Sequence, residues 1–136
     1  MNLELVRIGE RVERPIVSFS RKGTVRANKE AMELLGIDIS EKVQFFRDVD
    51  DRQKWYIYVT PNGYLRLRRK SRTDFAGTMQ SAYIAKKVIE SFYHKGRKPL
   101  KFEVAKAVRH HGKDVHLLKI IKKSLVMDIP DPNSKL

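Results

Sequence analysis

Between Tyr64 and Arg72 the chain gathers Arg66, Arg68, Arg69, Lys70 and Arg72, its densest run of cations. Leu65 and Leu67 alternate with Tyr64, Arg66 and Arg68. A strand here would turn its leucines toward a core and present the tyrosine and arginines on the opposite face. A guanidinium fork matches phosphate oxygens, and a tyrosine ring on the same face offers a base something to stack on. Tyr56 and Tyr58, on the preceding strand, would widen that stacking surface. The chemistry implied is non-covalent capture of a polyanion, nucleic acid before others. Cations on a solvent-facing strand also serve solubility and discourage edge pairing, which is the plainer explanation to weigh against it.

Other groupings point less firmly to chemistry. Lys95, Arg97, Lys98 and Lys101 form a second basic patch, followed by Lys106, Arg109 and Lys113. His110, His111 and His116 lie near Asp114, but their spacing meets no defined zinc pattern, and no metal is expected. Asp48, Asp50 and Asp51 have oxygens suited to a hard cation, yet Asp in a turn commonly bonds to its own backbone. There is no glycine-rich phosphate loop, no G-x-S-x-G elbow and no cysteine nucleophile. Neither a catalytic site nor a cofactor is expected, so the chain reads as a non-enzymatic binding protein.

The charge distribution strengthens the polyanion reading. Residues 1–50 hold nine Lys/Arg and nine Asp/Glu, whereas residues 51–136 hold twenty against seven, so the whole surplus of +13 lies in the later part. A field of that size attracts phosphate backbones or anionic surfaces without fixing the fold. At 136 residues, with 41% apolar residues including six Phe, five Tyr and one Trp, the chain can bury a core of its own. No stretch is long and apolar enough for a transmembrane helix or a signal peptide, and there is no cysteine. A soluble cytoplasmic protein is expected.

The elements that must position these residues follow from periodicity and turn signals. Strands are predicted over Pro15–Ser20, at Thr24–Arg26, over Lys42–Arg47 and Lys54–Thr60, from Tyr64 to Arg69, over Leu100–Val104 and over Val115–Ile121. Asn28 is placed to cap a short helix carrying Ala31, Leu34 and Leu35, with Gly36 as its stop. Residues 78–93 are predicted as the one long helix, with Ala82, Ala85, Val88, Ile89 and Phe92 on one stripe. Pro61-Asn62-Gly63 carries the strongest hairpin signal. No internal repeat is apparent.

Residues 17–45 resemble half of the swapped-hairpin motif of the AbrB/SpoVT-like DNA-binding family. The residues that carry the likeness are Gly23-Thr24-Val25, Lys29-Glu30, Leu35-Gly36-Ile37 and Glu41-Lys42-Val43. The resemblance implies a strand–helix–strand unit too small to bury its own apolar surface, interleaved with a second such unit in a dimer or within one chain. It also implies DNA contacts at Arg21, Lys22 and Arg26.

Together these features predict an α+β fold: mainly antiparallel strands with a short N-terminal helix and one longer helix packed on the sheet. A single domain would span 1–129, made of a swapped-hairpin-like unit at 16–60 and a basic strand–helix–strand extension at 61–129, followed by a loose tail at 130–136. The expected function is nucleic-acid binding, of DNA or RNA, through Arg66, Arg68, Arg69, Lys70, Arg72 and Tyr64, with Arg21, Lys22 and Arg26 secondary. An accessory protein docking an acidic partner is the alternative, and a homodimer is compatible with either.

Overall fold

A computed structural model describes residues 14–37, 42–69 and 74–127 of the protein. Strands β1 (Ile16–Phe19) and β2 (Thr24–Ala27) form a hairpin in which Val17 faces Ala27 and Phe19 faces Val25. These four side chains are fully buried, so the alternation sends Ser18 and Arg26 outward. Helix α1 (Lys29–Leu35) follows at once. Asn28 Oδ1 accepts from the Ala31 N–H at 2.9 Å and also from the Ile16 N–H at 2.9 Å, so one side chain caps the helix and ties its start to β1. Gly36, at φ 66°, ends the helix in the left-handed conformation.

Strands β3 (Lys42–Arg47) and β4 (Trp55–Thr60) make a second hairpin across the acidic turn. Asp48 Oδ1 accepts from the N–H groups of Asp50 and Asp51, at 2.8 and 3.3 Å. There follow β5 (Arg68–Arg69), β6 (Gly77–Gln80), helix α2 (Ala82–Ser91), β7 (Leu100–His110) and β8 (Lys113–Ile120). All strands join one antiparallel sheet in the order β3-β4-β8-β7-β1-β2-β6-β5. Its far edges meet where Val43 bridges Leu65, just ahead of β5, so the sheet curls into a barrel closed at that bridge.

This architecture corrects the expected α+β class. Among the described residues the fold is dominated by eight antiparallel strands, and the two α-helices have only seven and ten residues. Neither helix forms a layer, and α1 does not open the fold, since it comes after β1 and β2. Residues 78–80, predicted as helix, lie in β6, where Met79 pairs with Val25. Ser81 caps α2 only after that pairing ends. The helices sit at opposite ends of β2. A Cβ built on Gly23, just before β2, would lie 2.9 Å from Ala82, whereas one on Gly77, opposite Ala27, would lie 2.7 Å from the Met32 sulfur. Met32, Leu35, Val88 and Phe92 thereby join the strand core around Phe19 and Phe102, whose rings meet edge to face at 5.5 Å.

Pro61-Asn62-Gly63 also departs from expectation. The Gly63 N–H closes a turn on the Thr60 carbonyl at 3.2 Å, but the next segment does not pair with β4. It crosses to β3, and Leu65 pairs with Val43. Strands from 16–60 and from 61–120 therefore interleave around one barrel.

The pairing reveals a repetition of which the residue types keep little. Exchanging β1 with β5, β2 with β6, β3 with β7 and β4 with β8 turns every pairing into another observed one, with β1–β7 becoming the Val43–Leu65 bridge. Each half is a hairpin, a helix and a second hairpin. The Val25–Met79 pair lies on the pseudo-two-fold axis between β2 and β6, and Ile57–His116 exchanges with Trp55–Leu118 between β4 and β8. Gly23-Thr-Val25 corresponds to Gly77-Thr-Met79.

Candidate nucleic-acid interface

Cross-strand register assembles a row that no local stretch of sequence contains. Lys101 lies opposite Ser18, Ser18 opposite Arg26, Arg26 opposite Thr78, and Thr78 opposite Arg68. Each residue is flanked along its strand by inward-facing neighbours, apart from Arg69 after Arg68, so the row lies on the outside of β7, β1, β2, β6 and β5. Cations alternate with hydroxyls. At about 4.8 Å per strand the row runs about 19 Å. Arg66, two residues before Arg68 and also exposed, extends the positive surface sideways.

The row is free of carboxylates. The ion pairs among the described residues are Arg14–Glu103, Lys29–Glu33, Lys86–Glu90 and Arg109–Asp114, and none includes Arg26, Arg66, Arg68 or Lys101. A depression of about 480 Å³ beside Ser18, Arg26 and Lys101 is walled by Phe75 and Lys29, with Glu30 and Asp74 contributing acids to its lining. Phe75 is 47% exposed. Arg69 stacks on it at 4.3 Å from Cζ to the centroid, while the Arg69 Nε–H donates to the Asp74 carbonyl at 3.2 Å. An exposed ring in the same depression as Arg26 and Lys101 can combine stacking with phosphate pairing.

The candidate residues thus divide among several places. Arg26, Arg66 and Arg68 share the outer face, and Arg69 lies at its margin. Tyr64 is 90% exposed on the turn before Arg66. Lys70 and Arg72 fall outside the described residues. Lys22 is exposed at the β1–β2 turn, off the row. Arg21 is spent on structure: its Nε–H donates to the Gly96 carbonyl and its Nη2–H to the His94 carbonyl, both at 2.7 Å. Tyr56 and Tyr58 do not extend the arginine face, because β4 lies between β3 and β8 on the other side of the barrel.

Lys101 belongs to a separate patch in the sequence, and Ser18, Thr78 and Phe75 carry no sequence signal of their own. Among the described residues no three His, Asp or Glu side chains converge as metal ligands, and every buried side-chain polar atom has a partner. His116 is buried, its Nδ1 2.8 Å from the Ala105 carbonyl, whereas His110 and His111 lie exposed at the β7–β8 turn. No protein-family model, curated protein or solved structure matches the chain. Among the described residues no helix is long and apolar enough to cross a membrane.

Proposed function

We propose that this is a non-enzymatic nucleic-acid-binding protein of the cytoplasm, which grips the phosphate backbone with Lys101, Arg26 and Arg68. Arg66 flanks them, and the Ser18 and Thr78 hydroxyls donate between them. The observation that carries this reading is the carboxylate-free row of cations across five strands, on a chain with a surplus of +13. Cations with no ion-pair partner among the described residues remain available to an external anion. Backbone contacts of this kind position a duplex or strand without reading its bases, so affinity should vary little with sequence.

We further propose kinship with the swapped-hairpin family. It is supported by the interleaving of β1 with β7 and of Leu65 with β3, an arrangement of two hairpin–helix–hairpin halves within one chain. Titration with duplex DNA, single-stranded DNA and RNA at several salt concentrations tests the function. Binding to at least one of these should fall steeply with salt as condensed counterions are released. Failure to bind any of them, together with tight binding of an acidic polypeptide such as polyglutamate, would transfer the row to an acidic protein partner.

A further inference from the structure

On the opposite pole of the barrel, where β4 meets β8, the outer face has a different character. Phe46, Tyr56, Val108 and Val115 floor a groove of about 550 Å³ that is edged by Arg109 and Lys113. Phe46 is 38% exposed and Val108 58%, and the Lys113 ammonium lies 5.6 Å from the Phe46 ring centroid. At one end of the groove stands the β3–β4 turn, Asp48-Val49-Asp50-Asp51, with Val49 93% exposed at its tip. An apolar side chain held in water between carboxylates, next to an apolar groove edged by cations, makes this surface complementary to itself.

We propose that this face is an isologous interface between two copies of the chain. The Val49 turn of each copy enters the groove of the other, and the turn carboxylates meet Lys113 across the two-fold, beside Arg109, which is paired with Asp114 of its own chain. Self-complementarity of one patch is what such a dimer requires, because each contact occurs twice. The mixture of charges selects this occupant. A nucleic-acid strand in the groove would meet Asp48, Asp50 and Asp51, and an acidic peptide would meet the same repulsion. A second copy instead brings its acids to the cations and its own cations to the acids. Because β4 and β8 lie across the barrel from β2 and β6, the dimer leaves both cationic rows facing outward.

Sedimentation equilibrium on the full chain without nucleic acid tests this, independently of the proposed function. The wild type should sediment at twice its 15.9 kDa chain mass, and Val49→Lys should halve that mass with an unchanged circular dichroism spectrum. Asp50→Lys and Lys113→Glu should each be monomeric alone and should return to the dimer mass when mixed, since the mixture restores opposite charges at both contacts. A wild type at single-chain mass up to its solubility limit would overturn the proposal. So would a Val49→Lys protein that keeps the dimer mass, or charge variants that do not recover on mixing.

Discussion

The Val43 N–H donates to the Leu65 carbonyl at 2.7 Å, and this bond joins the two ends of an eight-stranded sheet. By closing the barrel it sets the course of the segment that carries Arg66 and Arg68 toward β6. Gly63 makes the bond reachable, since a Cβ there would lie 2.8 Å from the Val43 carbonyl oxygen.

Gly63→Ala should therefore destabilise the protein by about 1–3 kcal/mol, measured by chemical denaturation, because backbone must shift to admit the methyl group. Gly77→Ala offers a contrast. Its Cβ would meet the Met32 sulfur at 2.7 Å, the end of a flexible side chain, though also Leu67 Cβ at 3.0 Å. The loss at Gly77 should be smaller than at Gly63, since methionine adapts by rotation.

Arg21 separates a structural cation from a binding one. Arg21→Gln removes donors to the Gly96 and His94 carbonyls and should cost about 1–2 kcal/mol of stability. The salt dependence of nucleic-acid binding, measured below the unfolding transition, should stay within error of the wild type. A drop equal to that of Arg26→Gln would put Arg21 in the interface.

His94 ties two distant segments together. Its Nδ1 accepts from the Val126 N–H at 3.0 Å, which leaves the proton on Nε2, and Nε2–H donates to the Lys98 carbonyl at 3.0 Å. The residue is only 3% exposed. His94→Ala should lower stability by about 2–3 kcal/mol through the lost bonds and the cavity. Amide exchange should quicken at Val126 well before it does in β7.

The residues named from sequence show how far local signals reach. Asn28 and Gly36 act as cap and stop because their side chain and backbone freedom operate within a few residues. The alternation from Tyr64 to Arg68 likewise placed its arginines outside. The row escaped sequence reading because Lys101, Arg26 and Arg68 meet through strand pairing, and backbone hydrogen bonds leave no mark on side-chain types. The repetition of the two halves was hidden for a related reason. Equivalent sites hold Val43 and Phe102, or Trp55 and His116, all buried but unlike in size and chemistry. At Pro61-Asn62-Gly63 the local hairpin signal yielded to pairing with β3.

The most direct test of the account is the salt dependence of duplex DNA binding by the triple variant Arg26→Gln, Arg68→Gln and Lys101→Gln. Each phosphate contact contributes about 0.9 to the slope of log K against log salt, so the slope should fall by about 2.7 and the affinity with it. A control variant with Lys86, Lys119 and Lys122 changed to Gln loses the same net charge elsewhere and should retain most of the wild-type slope. Equal slopes for the triple variant and the wild type would contradict the account, because phosphates would then be held by some other surface.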